Sequence, residues 1–153
     1  LVEVGSMQPL SGTAFAVTPT LRESYAEGDD EELAEVAIGE AALASLRLLA
    51  AEPFAELPLR RAVLVADAPD GDVTARPDLD DAVVRISGRV ALSQVVAAYV
   101  DNASAEPAVA AAIAVVDEAD LGDEDAELTV GDAQDHDLAW YATQELPFLL
   151  DLL

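Results

Sequence analysis

The chain of 153 residues carries 31 acidic and 7 basic side chains, a formal charge of −24 and an isoelectric point near 4.1. Apolar residues make up 52% and the mean hydropathy is +0.26, so the low hydrophobicity that disorder requires is missing despite the charge. A phosphate-neutralising surface needs clustered Lys and Arg, which argues against direct nucleic-acid binding and against a polybasic membrane anchor.

The length suits one globular domain spanning 1–153, since domains commonly run roughly 100–200 residues. The chain opens Leu1-Val2-Glu3-Val4 without Met, so a natural N-terminal segment is expected to precede it. Cysteine is absent, which removes disulfides, thiolate chemistry and Cys-based metal sites, and suits a reducing, cytoplasmic setting. Lysine is absent too, so Schiff-base chemistry and a phosphate-loop lysine are unavailable. No basic leader precedes an apolar stretch, and no uncharged run approaches the ~18 residues of a membrane span. Charge is unevenly placed. Residues 1–89 hold all 7 Arg and 17 acids, whereas residues 90–153 hold 14 acids and no Arg or Lys.

In chain order, Leu1–Val4 reads as the tail of a helix stopped by Gly5. Thr13–Thr18 reads as a buried strand. Thr18-Pro19 starts a short helix, with Thr as cap and Pro in the first helical position, and Gly28 stops it. Asp29 and Glu32 have capping-box spacing, and the acids 29–32 suit the positive end of a helix dipole. That helix is expected over Asp30–Ala51, with Leu33, Ala37, Ala41, Ala44 and Leu48 as its apolar stripe, Gly39 as a kink, and Pro53 and Pro58 as its close. Arg61–Ala66 is apolar on both faces and reads as a central strand. Arg60 and Arg61 are expected to be exposed or paired with nearby acids. Asp67–Asp81 reads as a loop, Ala82–Ser87 as a half-buried strand, and Leu92–Val100 as a turn followed by a strand ending at Asp101. After a turn over Asn102–Pro107, the spacing of Val109, Ala112, Ile113 and Val116 predicts a helix that Gly122 ends. Asp120–Glu127 reads as an acidic loop, Leu128–Val130 as a short strand, and the tail as a helix from about Asp135 that Pro147 interrupts. Interleaved strands and helices predict an α+β fold: a four- or five-stranded mixed sheet with helices mainly on one face.

Three groups of residues are chemically distinctive. Asp70, Asp72, Asp120, Asp123 and Asp125 supply the oxygen ligands that Mg²⁺ or Ca²⁺ takes, although the spacing around Gly122 is not that of an EF-hand and Asp-Gly is ordinary turn chemistry. His136, the sole histidine, lies between Asp135 and Asp137 and reads as a surface residue near a helix start. On a tail helix, Tyr141 and Glu145 share one face and Trp140 and Gln144 another, which suits either a pocket lining or a core anchor. Arg22, in the helix that follows Thr18, adds positive charge near a helix N-terminus that could meet an anion. No nucleophile elbow, phosphate loop, dinucleotide fingerprint or zinc-protease motif is present.

Two strings, TAFAVTPTLRESYAEGDDEEL at 13–33 and LGDEDAEL through DHDLAWYATQELP at 121–147, together resemble a family of uncharacterised conserved proteins of actinobacteria. The likeness covers most of the chain and implies a short strand ahead of Leu1. It carries no activity, and so assigns no residue a role.

The composition points first to a non-catalytic, soluble protein that binds a basic partner through its acidic C-terminal half, with Trp140 and Tyr141 in the surface. No cofactor is expected on that reading. The alternative is a Mg²⁺- or Ca²⁺-dependent enzyme, for example a hydrolase, whose acidic loops converge. A mimic of nucleic-acid phosphates is a third reading.

Overall fold

The secondary structure belongs to the α+β class. In a computed structural model that describes residues 1–51 and 58–152, the elements in chain order are β1 (Ser6–Met7), β2 (Thr13–Phe15), α1 (Pro19–Ser24), α2 (Asp30–Ala51), β3 (Ala62–Ala66), β4 (Val73–Ala75), β5 (Val83–Ile86), β6 (Val90–Ala91), β7 (Val95–Asp101), α3 (Glu106–Asp120), α4 (Glu124–Gln134), β8 (Leu138–Ala142) and α5 (Leu146–Leu152). The strands are divided among three small sheets, β1-β6, β2-β5-β4 and β3-β7-β8, rather than joined in one four- or five-stranded mixed sheet. Every strand pair whose register is defined is antiparallel. The strands are short, and a single 3₁₀ turn at Leu92–Gln94 is enough to pass the chain from one sheet to another. Two compact units are distinguished: Leu1–Ala41 with Val65–Val96, and Ala42–Leu64 with Ala97–Leu153.

The first unit is built on local caps. The opening residues form one turn, closed by the Gly5 N–H donating to the Leu1 carbonyl at 2.8 Å, with Gly5 at φ +85°. Thr18 caps α1: its hydroxyl oxygen accepts from the Leu21 N–H at 3.1 Å and its hydroxyl donates to the Asp81 carbonyl. Asp29 Oδ1 accepts from the Glu32 N–H at 2.8 Å, the cap expected for α2. Leu21, Leu33 and Ala82 are buried together, with Val17 and Val36 against them. The expected loop 67–81 contains β4, which pairs with β5 in the register Val73↔Ile86 and Ala75↔Val84, while β2 covers the other edge of β5. Gly12, at φ +68°, lies so close to β5 that a Cβ there would sit 2.9 Å from the Ile86 carbonyl oxygen.

The second unit is mainly helical. Val109, Ala112 and Val116 of α3 bury the stripe their spacing predicts, and Leu46 of α2 and Val130 and Ala133 of α4 close the same core. α2 runs through Gly39 without a break. Its stripe shifts at the far end: Leu46 is fully buried, while Leu48 is 51% exposed. Of the two prolines expected to close α2, Pro53 lies outside the described residues.

Three expectations are corrected here. Glu124–Gln134 is a helix, not an acidic loop and a short strand. Asp123 caps it by accepting from the Ala126 N–H at 2.9 Å, and Glu124, Asp125 and Glu127 lie where the helix dipole favours negative charge. Leu138–Ala142 is a strand, and Pro147 sits in the first turn of α5, where its missing N–H costs nothing, rather than interrupting a helix. Last, β3 lies at an edge and β7 is the central strand, and alternate residues of the apolar run of β3, Ala62, Leu64 and Ala66, are exposed on one face rather than buried on both.

Candidate functional site

The second unit contains three arginines among its described residues, and all three are bound to carboxylates of the same unit. Arg47 forms a fork with Asp120, donating from Nε at 3.1 Å and Nη2 at 2.8 Å. The Arg47 guanidinium beside Asp120 holds that carboxyl below the ordinary carboxylate range. Arg60 Nε donates to Glu106 Oε1 at 2.9 Å. Arg61 is buried, with side chains of 2% exposure for itself and 0% for its partner Asp101.

The Arg61 cluster organises the unit. Its Nε (2.9 Å) and its own backbone N–H (2.8 Å) donate to Asp101 Oδ2, and Nη2 donates to Oδ1 at 2.7 Å. The remaining fork reaches the end of α4 and the residues after it, with Nη1 donating to Gln134 Oε1 and Nη2 to the His136 carbonyl, both at 2.9 Å. A planar guanidinium is suited to this task because it offers five donors in a fixed fan. The cluster thus ties the start of β3, the end of β7 and the α4–β8 link together. Arg61 is paired, as one expectation had it, but not exposed.

These contacts consume the positive charge of the unit and little of its negative charge. Of the 14 acids in residues 90–153, Asp101, Glu106 and Asp120 are ion-paired. The other 11 form no ion pair among the described residues. Large apolar groups also stand out of the same stretch: Trp140 is 57% exposed and Leu121 is 89% exposed, and Leu128, Phe148, Leu150 and Leu152 are exposed as well.

The strand β8 sets the geometry around Trp140. It pairs antiparallel with β7 in the register Ala98↔Tyr141, Tyr99↔Trp140 and Val100↔Ala139. Trp140 and Tyr141 therefore lie on opposite faces, and the shared faces expected for Trp140 with Gln144 and for Tyr141 with Glu145 do not exist, because side chains alternate along a strand. The Asp101 N–H donates to the Arg61 carbonyl at 3.0 Å, so Asp101 turns its backbone groups toward β3. Alternation then turns those of Val100 and Ala98 toward β8, and those of Leu138, Trp140 and Ala142 away from the sheet. The Ala142 N–H is taken by Glu145 Oε1 at 3.0 Å, which fixes the turn into α5. Gln144 is exposed beside it. His136 follows the C-terminal end of α4, half-buried, rather than preceding a helix.

The candidate metal ligands are placed in separate surroundings. Asp70 and Asp72 lie in the first unit, in a 3₁₀ turn before β4, where the Asp72 carbonyl accepts from the Ser87 N–H at 2.9 Å. Asp120, Asp123 and Asp125 flank the α3–α4 turn. Asp120 is held by Arg47, Asp123 is committed to its cap, and Asp125 is exposed. Among the described residues, no group of three or more His, Asp or Glu gathers where it could hold one ion. Arg22 donates from Nη1 to Asp30 Oδ1 at 2.6 Å on the surface of the first unit. Among the described residues, no helix is long and apolar enough to cross a membrane.

Residues 1–150 match the model of a family of unknown function, DUF6912. The chain belongs to that family. The match spans both stretches on which the resemblance was drawn, and the likeness is thus to a DUF6912 chain throughout rather than to a local motif. No curated protein and no solved structure matches it.

Sequence reasoning missed the Arg61–Asp101 pair and the open strand. The signal for the first was an acid closing an otherwise apolar strand, Val95–Asp101, in a chain where an unpaired buried carboxylate would be costly. The signal for the second was the β propensity of Trp140-Tyr141.

Proposed function

We propose that this chain is a non-catalytic, acidic protein of the cytoplasm that binds a basic partner through its C-terminal half. The observation that supports it is the imbalance in the second unit. Its described arginines are all spent on Asp101, Glu106 and Asp120, while 11 acids of residues 90–153 form no ion pair among the described residues. A surface of one sign raises the encounter rate with an oppositely charged protein and rejects like-charged ones. Exposed Trp140, Leu128 and Phe148 supply apolar area that such a surface needs for lasting contact.

The test is capture of basic proteins by the whole chain at about 50 mM and about 500 mM salt, since screening shortens the reach of charge several-fold over that range. A variant with Asp117, Asp132, Asp135 and Asp137 changed to Asn and Glu118 to Gln serves as the comparison. The expected result is a partner retained at low salt, released at high salt and lost by the variant. A partner bound equally by both chains, or none at all, refutes the reading.

A further inference from the structure

We propose that the outer edge of β8 accepts an extended, basic peptide as an added strand. The inference rests on the reading of the C-terminal half as a surface for a basic partner, and it names the docking element and the form of the segment that docks. β8 is the last strand in the order β3-β7-β8, with β7 as its only neighbour among the described residues. The backbone N–H and C=O of Leu138 and Trp140 point away from β7, and no other backbone group meets them among the described residues. Natural edges are usually guarded by Lys, Pro, a bulge or an inward charge. The β8 sequence, Leu-Ala-Trp-Tyr-Ala, contains none of these, and its register with β7 is unbroken.

Charge selects the occupant. Asp135 and Asp137 precede β8, Glu145 and Asp151 follow it, and no Lys or Arg occurs from residue 90 onward. A second copy of the chain is disfavoured. In an antiparallel β8–β8 pair, Asp135 and Asp137 of one copy approach Glu145 of the other, and in a parallel pair like residues meet like. The segment that fits is five or so alternating apolar and polar residues with Arg or Lys at both ends. Its backbone satisfies the outward groups of Leu138 and Trp140, and its basic ends lie beside the flanking carboxylates. The half-exposed indole of Trp140 offers a face for an arginine.

The experiment uses the intact chain and two fluorescein-labelled peptides, RRVTVTVRR and the same peptide with every core amide N-methylated. The second keeps the charge and loses strand pairing. Binding is followed by anisotropy. The expected result is that the first peptide binds about tenfold or more tightly than the second, the worth of one or two net hydrogen bonds, and that salt weakens both. Equal, salt-sensitive binding of both peptides overturns strand addition while leaving the acidic-surface reading standing. Binding of neither overturns both. On the protein side, Trp140→Pro removes the outward N–H without touching the β7 ladder, and Trp140→Val removes the indole alone. Strand addition requires the first variant to narrow the distinction between the peptides, since one of the outward donors is gone, and the second to keep it in full. If Trp140→Pro fails to fold, the peptide pair on the unaltered chain still decides.

Discussion

Changing Asp101 to Asn alters a charged contact that is both buried and several times bonded. The carboxylate accepts three bonds from Arg61, at 2.7 to 2.9 Å, and both side chains are shielded from water. If the Asn oxygen takes the place of Oδ2, its amide points two more N–H donors at Nη2, which already donates there. One bond between charged groups is lost outright, another falls to a neutral acceptor, and a buried guanidinium is left without its counter-charge. Bonds to charged groups are worth about 1.5–3 kcal/mol each, and removing one partner of a buried pair costs about 3–5 kcal/mol, so both routes give the same range. With a urea slope near ~2 kcal/mol per M, the unfolding midpoint should fall by about 1.5–2.5 M. Circular dichroism at equilibrium reads this directly. Replacing both partners, Arg61→Met with Asp101→Leu, should recover only part of the loss, because the Gln134 side-chain oxygen and the His136 carbonyl also receive bonds from Arg61. A midpoint shift below about 0.5 M for Asp101→Asn would falsify the view that this pair anchors the second unit.

The exposed fork between Arg47 and Asp120 should behave differently: Asp120→Asn costs under about 1 kcal/mol at neutral pH, since both side chains are nearly half in water. The folded-state pKa of Asp120 is lowered by Arg47, so its contribution is present above the unfolded value near ~3.9 and is lost as pH falls through the lower folded value. Denaturant midpoints of the two chains should therefore converge in acid, and a difference that grows there would contradict the assignment. Leu46→Ala should cost about 2–5 kcal/mol and Leu48→Ala less than about 0.5, although the two residues sit two positions apart on α2, and paired urea titrations check the contrast. Gly12→Ala must either move the Ile86 carbonyl or strain a φ of +68°, so a fall of several degrees in the thermal midpoint is expected, and an unchanged midpoint would show that β2 and β5 are not held as closely as described.

Much of the architecture was legible where local chemistry decides it. Thr18-Pro19, Asp29 with Glu32, and Gly122 after α3 are punctuation that acts within one turn of chain, and each does what its residue type predicts. α3 was legible because Val109, Ala112 and Val116 keep helical spacing. α4 was not, although Ala126, Val130 and Ala133 also keep it, because its first turn is so acidic that it resembles a solvated loop. The same acids are favourable once a helix end lies beneath them. β8 misled for a different reason. Leu138, Tyr141, Ala142 and Glu145 recur at helical intervals, and only the ladder to β7 makes the segment a strand, which is a tertiary effect. The division of strands into three sheets depends likewise on which short segments meet across the chain. Of the residues singled out for function, Trp140 and Tyr141 do belong to the open strand, but by alternation rather than by a shared helical face. Arg61 and Asp101, 40 positions apart, had no local signal linking them.

Every ion pair among the described residues has a guanidinium as its cation. A guanidinium is flat and rigid, and Arg47, Arg61 and Arg76 each use that shape to clasp both oxygens of one carboxylate at once. A rounded ammonium keeps the sign of the charge and gives up this two-pronged grip. Exchanging any of the three for lysine should therefore loosen the orientation of the acid it holds, a cost in precision rather than in charge.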